Sequence, residues 1–259
     1  MKKILLMITL TILLTVTAAM TGCGETVTDS GEMTTWEMAN ADFTRIEISH
    51  GFDVDIMRDT AFKVTIHIDR AVFEYLVVDQ RGDTLRIGLE SGHTYINTTQ
   101  RAVITLPELH KLDLSGGSNA DVGSFSTGKS LTLGLSGGSV VKLDTVTISD
   151  ARLELSGGSR VTGGLTMQDG KLDLSGASVV ELEGSAEDIR LTGSGASDFR
   201  LDDFTATTAT INLSGGSTVS IHVIEQMNVD LSAGSELNYT GSPLLGSVNL
   251  SGGSTVNQE

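Results

Sequence analysis

From about Lys111 onward, aliphatic and polar residues alternate in short bursts, and a glycine-rich phrase interrupts them at near-constant intervals. Leu-Ser-Gly-Gly-Ser stands at 114–118, 135–139, 155–159, 213–217 and 250–254. Near copies are LSGAS at 174–178 and LSAGS at 231–235, and an expanded copy, LTGSGAS, spans 191–197. Taking the residue after each Leu as a marker gives Ser115, Ser136, Ser156, Ser175, Thr192, Ser214, Ser232 and Ser251, in steps of 21, 20, 19, 17, 22, 18 and 19 residues. The short 17 and the long 22 flank the expanded copy and compensate. A sustained period near 20 is the mark of a solenoid, whose units fold only by stacking on one another.

The phase within each unit selects the kind of solenoid. Three and one residues before the marker stand Leu112/Leu114, Leu133/Leu135, Leu153/Leu155, Leu172/Leu174, Ile189/Leu191, Ile211/Leu213, Val229/Leu231 and Val248/Leu250. The residues between them are Asp113, Gly134, Glu154, Asp173, Arg190, Asn212, Asp230 and Asn249, none of them apolar. Period-two alternation predicts a strand with one face inward. A second alternation follows the glycines, as in Val141-Lys142-Leu143 and Phe199-Arg200-Leu201, and Phe125, Val146, Phe204 and Ile224 mark a third inward position. Helical spacing is absent from the repeat. The expectation is an all-β fold, a single-stranded right-handed parallel β-helix whose turns stack in parallel.

The glycines belong to its corners. A sharp bend between strands needs positive φ, which glycine adopts without a Cβ clash. Gly116, Gly117, Gly137, Gly138, Gly157, Gly158, Gly215, Gly216, Gly252 and Gly253 are therefore the expected turn residues. The flanking serines are placed to bond the bent backbone or to form a ladder up the stack.

Before the repeats, residues 43–106 still alternate but lack the phrase. Arg45-Ile46-Glu47-Ile48, 52–56, 62–68, 85–89 and 102–106 read as strands, punctuated by Gly51, Arg81-Gly82-Asp83 and Ser91-Gly92. The stretch 72–78 fits one turn of helix or a strand. Residues 40–106 are expected to form an irregular N-terminal cap and early coils of the same core, with the repeats filling 107–259.

The first residues have a different logic. Lys2 and Lys3 precede an apolar run, 4–16, that is short for a membrane span. Small residues and Met20-Thr21-Gly22-Cys23 follow, which completes an export signal. The cleavage region resembles the lipobox of bacterial lipoproteins, with Met20 where Leu is usual. That resemblance implies removal of residues 1–22 and a lipid on Cys23, the one cysteine of the chain. Residues 23–39 are polar and patternless and are expected to be a flexible tether. Trp36 within it is expected to pack on the first strand, with an exposed ligand platform as the alternative.

The order Phe43…Ile46-Glu47-Ile48…Gly51-Phe52-Asp53-Val54, then Leu85-Arg86-Ile87, then Val103-Ile104-Thr105-Leu106-Pro107-Glu108-Leu109, then LSGGS resembles the putative auto-transporter adhesin, head GIN domain family of bacterial surface proteins. The likeness runs from about residue 43 to the C-terminus. It implies a β-helical fold, export and often a lipid anchor, and it brings no catalytic residues.

Charge narrows the partners. The chain carries −16, and loss of residues 1–22 removes Lys2 and Lys3 but no acid, leaving −18. Such a surface repels nucleic acid and anionic lipid head groups.

The chemistry-bearing residues are scattered. Gly134-Leu135-Ser136-Gly137-Gly138 fits the pattern of a nucleophile elbow, but that motif needs a helix after the serine, and here a strand is expected. His50, His67, His93, His110 and His222 have no metal-ligand spacing. Asp53/Asp55 and Asp202/Asp203 could offer oxygens to calcium but read better as solvated carboxylates. Neither a metal nor a cofactor is expected.

The sequence thus points to a non-enzymatic, lipid-anchored module of the bacterial cell envelope, adhesin-like or structural. A polysaccharide-binding or polysaccharide-active β-helix is the alternative, with sparse aromatics against the enzyme. Expected partners are the membrane, through Cys23, and a polysaccharide or surface protein. The edge of the last turn offers a route to self-association.

Overall fold

The structure, a computed structural model, describes residues 25–259; Cys23 and the expected export signal lie outside them. The chain is a parallel β-solenoid. Among the described residues the one helical element is a 3-10 turn, Phe73–Tyr75, which leads directly into the strand Leu76–Arg81. The ambiguous stretch is thus both of its alternatives in succession.

Each regular turn begins with a strand such as Leu131–Leu135, bends at the Ser-Gly-Gly-Ser corner, and continues in a second strand such as Val140–Thr147. Equivalent strands stack in parallel and in register. Leu133 pairs with Leu112 below and Leu153 above, and the column continues through Leu172, Leu191, Ile211, Val229 and Val248. A parallel ladder places identical positions one above the next, so a period-two pattern repeated every turn becomes a vertical wall of aliphatic side chains. These columns form one continuous core from Phe43 to Tyr239. From residue 179 the corners after the second strand flatten, and successive strands fuse into Val179–Gly193, Asp198–Leu213 and Thr218–Leu231.

At the Ser-Gly-Gly-Ser corner the ladder continues unbroken. The amide of Ser136 donates to the Leu114 carbonyl at 3.0 Å, and that of Val140 donates to the Ser118 carbonyl at 3.0 Å. The second serine of each phrase is buried, and its hydroxyl donates to the carbonyl three residues back. Ser118 to Ser115 (2.9 Å), Ser139 to Ser136 (2.8 Å) and Ser159 to Ser156 (2.8 Å) are examples. The two glycines between them are not equivalent. Gly157 and Gly158 both have positive φ, 65° and 77°, but a Cβ on Gly157 would stand 3.1 Å from the Gly137 amide of the turn below, whereas one on Gly158 would meet nothing within 4 Å. Ala196, at φ 68°, occupies the second position of another corner.

The expanded copy falls in a different register from the one read off the sequence. Leu172 pairs with Leu191 and Leu174 with Gly193, so the marker of this turn is Ser194, not Thr192. With Ser194 the flanking steps become 19 and 20 residues, and the 17/22 irregularity disappears. Ile189 pairs with Gly170, one alternation earlier, and Arg190 leaves the outward column to which it had been assigned; Thr192 takes that place. Gly193 fills an inward position otherwise held by Leu, and the alternation had pointed to the nearest pair of aliphatics instead.

The N-terminal layers are stacked out of chain order. Arg45–Ile48 pairs with Thr84–Leu89 on one side and with Lys111–Leu114 on the other; Asp53–Arg58 likewise lies between Gln100–Leu106 and Asn119–Val122. The chain lays down its second layer first, returns beneath it, and then passes over it into the repeats. Lys63–Asp69 and Leu76–Arg81 add antiparallel strands at this end.

The expected tether is largely structured. Met33–Met38 pairs antiparallel with Lys63–Asp69, and Thr26–Thr28 pairs parallel with Thr94–Ile96. Val27 is buried, and Asp69 grips the bend between the two strands by accepting from the Ser30 hydroxyl (2.7 Å) and amide (3.0 Å). This segment is added by edge pairing, and backbone hydrogen bonds need no hydrophobic alternation. Trp36, on the outer strand, stays 41% exposed and meets Phe73 edge-on at 6.0 Å.

Candidate functional site

The first strand of each turn carries two outward positions, and stacking makes each a column. One holds Arg45, Lys111, Thr132, Arg152, Lys171 and Arg190; the other holds Glu47, Asp113, Gly134, Glu154, Asp173 and Thr192. A largely acidic column therefore runs beside a basic one. The ammonium groups of Lys111 and Lys171 lie 2.7 Å from the carboxylates of Asp113 and Asp173, and Arg152 pairs with Glu154. Alternation of cation and anion two residues apart on one strand puts both on the same face, which creates these pairs.

Next to the acidic column the corner serines form a third. Between them runs an open groove of 730 Å³, lined by Glu47, Asp113, Glu154, Asp173 and the serines from Ser49 to Ser194, with Arg86 at its N-terminal end. Five layer steps of roughly 4.8 Å make it about 24 Å long. The hydroxyls of Ser156 and Ser175 reach the carbonyls of Leu135 and Leu155 only at 3.4 Å, which leaves them free to bond a ligand. No aromatic ring lines the groove.

Ser136 lines this groove, followed by a strand rather than by the helix a nucleophile elbow requires. At the groove's end Ser49 Oγ lies 2.8 Å from His50 Nδ1, which also accepts from the Leu89 amide at 3.3 Å. Burial, and then the nearby Arg86, lower the His50 pKa. A catalytic base in a triad is steadied as imidazolium by a carboxylate; here the neighbouring charge is a guanidinium, which opposes that state. The pair is a corner contact in which His50, at φ 64°, fills the place of a first corner glycine.

The other histidines are dispersed. His67 and His222 bond the hydroxyls of Thr35 and Thr240, both at 2.9 Å; His110 bonds Glu108 at 3.1 Å; and the His93 ring meets Tyr75 at a 50° tilt, 4.6 Å between centroids. Asp55 is held by Arg101, and Asp53 accepts from Asn119 at 2.8 Å. Asp202 and Asp203 border a 270 Å³ depression with Glu181, Glu183 and Arg200. Among the described residues no three His, Cys, Asp or Glu side chains gather as metal ligands would.

Sequence reasoning missed the basic column and the groove. The signal for the first was present, since Lys111, Arg152, Lys171 and Arg190 each stand two residues before an acidic or polar position. The groove could not be found that way, because it runs across strands that only stacking makes neighbours.

Known structures share the fold. A putative adhesin from Parabacteroides merdae ATCC 43184 superposes with a TM-score of 0.81 at 16% identity, covering 91% of this chain and 99% of its own. A putative adhesin from Parabacteroides distasonis ATCC 8503 gives 0.80 at 15% identity, covering 91% and 100%. A putative lipid binding protein from the same strain gives 0.76 at 17% identity, again covering 91% and 100%. Among curated proteins none matches the sequence. The family model described as "Putative auto-transporter adhesin, head GIN domain" matches residues 42–243, and the chain belongs to that family.

Proposed function

We propose that this protein is a non-enzymatic, lipid-anchored module of the bacterial cell envelope that holds an extended polysaccharide along the serine–carboxylate groove. The observation that carries the reading is periodicity. Four of the six layers present a carboxylate beside a serine hydroxyl (Glu47, Asp113, Glu154 and Asp173), along one open trough that Gly134 and Thr192 continue. A periodic site suits a periodic ligand, since each added unit repeats the same few hydrogen bonds and affinity accumulates by length. Hydroxyl donors of a neutral glycan match carboxylate and serine oxygens; the −16 charge of the chain disfavours an acidic one. Asp113, Glu154 and Asp173 are already paired with cations on their own strands, which suits binding better than proton transfer.

Adhesin-like membership supports a surface location, and Cys23 supplies the anchor in this reading. A glycan array probed with residues 25–259 tests it: neutral polymers are retained, longer chains more strongly than short ones, without turnover. Retention independent of chain length sinks the groove assignment. Fatty-acid labelling that persists after Cys23→Ser sinks the anchor.

A further inference from the structure

The two ends of the solenoid are finished differently. At the N-terminal end the antiparallel strands Leu76–Arg81 and Met33–Met38 form the outer edges and carry charge, with Asp79 bonded to Arg81 and Glu37 facing Lys63. Charged edge strands discourage pairing with another chain. At the other end Leu244–Leu250 and Thr255–Gln258 each pair on one side only, with Thr218–Leu231 and Glu236–Thr240. Their aliphatic columns are open at the top. Leu245, Val248 and Leu250 are 43%, 41% and 47% exposed, while Met227, Val229 and Leu231 in the layer below are 0–2% exposed. Leu244 beside them is 72% exposed.

Charge identifies what fits there. Between Glu236 and Glu259 the chain has no Asp, Glu, Lys, Arg or His. Asn249 replaces the acidic residue of the column containing Asp230, and Thr255 stands over Glu236. In a two-fold contact each side chain meets its own kind near the axis, so charge there repels itself, whereas asparagine donates and accepts and pairs with its copy. A chain of net charge −16 that closes on itself needs a face poor in charge, and in this layer charge is confined to Glu259.

We propose that this end is an interface for a second copy of the same chain, meeting end to end about a two-fold axis. The end strands add to each other as antiparallel neighbours, and Leu245, Val248 and Leu250 of both copies close the open columns into one core. Because the opposite end is edged with charged antiparallel strands, the assembly closes at two and does not extend into a filament. The irregularity of the end strand at Gly246-Ser247 leaves Val248–Leu250 and residues 255–258 as its regular pairing edges.

Sedimentation equilibrium of residues 25–259, which hold every strand described, tests this independently of glycan binding. The expected result is a monomer–dimer equilibrium with nothing larger. Leu244→Lys, at a side chain already mostly in water, weakens it at least tenfold, and Asp79→Lys at the other end leaves it unchanged. This segment lacks cysteine, so Ser247→Cys should yield a disulfide-linked dimer on oxidation and Asp79→Cys should not. A strict monomer at high micromolar concentration, a dimer indifferent to Leu244→Lys, an open-ended series of oligomers, or equal cross-linking from Asp79→Cys each overturns the proposal.

Discussion

A Cβ placed on Gly193 would stand 2.9 Å from Cε2 of Phe199. The two residues occupy adjoining inward columns of one turn. Gly193 stands where Leu174 and Leu213 flank it in the ladder, and Phe199 stands between Val180 and Val219. One position has lost a side chain and the other has gained a ring that fills the vacated space. Interiors are close-packed, so the exchange conserves volume where either change alone would not.

The pair should therefore be strongly coupled. Phe199→Val alone leaves a cavity and should cost about 2–4 kcal/mol, and Gly193→Leu alone overpacks the turn by about 1–3 kcal/mol. The double variant restores the composition of the neighbouring turns and should be more stable than either single one. Urea unfolding of all four proteins measures the coupling; additive losses would refute the compensation.

Within a corner, the two glycines should respond unequally. Gly158→Ala should cost about 1 kcal/mol, the strain of positive φ for an L residue. Gly157→Ala carries the same strain and also drives its Cβ against the Gly137 amide, so a loss of roughly 2–3 kcal/mol is expected. Thermal unfolding of the two variants gives the comparison directly.

Stability and binding should separate at the groove. Asp113→Asn, Glu154→Gln and Asp173→Asn remove exposed ion pairs, each worth about 0–1 kcal/mol, so the triple variant should stay folded near the parent melting temperature. The same variant should lose most retention of neutral glycan. Unchanged binding would show that the polymer, if held at all, sits elsewhere.

Acid should release the N-terminal segment before the solenoid melts. Burial raises the Asp69 pKa, but hydrogen bonding with Asp29 and Ser30 and from the Ala71 and Ser30 amides outweighs it and holds the value at about 2, below the ordinary 3.8. A carboxylate with a depressed folded pKa stabilises above its unfolded pKa and ceases to as pH falls from about 4 to about 2. Trp36, the one tryptophan, lies on the strand beside Asp69 and reports the change by fluorescence. Asp69→Asn should loosen this segment at neutral pH and abolish the transition over that acid range.

The contrast between Leu133 and Gly193 shows how far the sequence could be read. Leu133 was placed correctly because a two-residue alternation locked to a twenty-residue period leaves one inward assignment. Gly193 was not, because an inward glycine has no hydrophobic signature and its place is held by Phe199, six residues along the chain. The corner phrase was visible as a phrase, but the difference between Gly157 and Gly158 depends on the turn beneath.

By itself, then, the chain determined the kind of fold, the inward face of the strands on either side of each corner, and the corners, since these follow from local periodicity and from the conformations that glycine alone adopts readily; the third inward position failed at Ile224, which is 49% exposed while Val223 is buried. Stacking order was decided only in three dimensions. Arg45–Ile48 sits between two strands that come later in the sequence, and alternation tells a strand which face to bury but not which strand to lie beside. The capture of Met33–Met38, the partnership of the acidic and basic columns, and the groove are of the same kind. Each depends on which backbones become neighbours, and hydrogen bonds between backbones are indifferent to the side chains they carry.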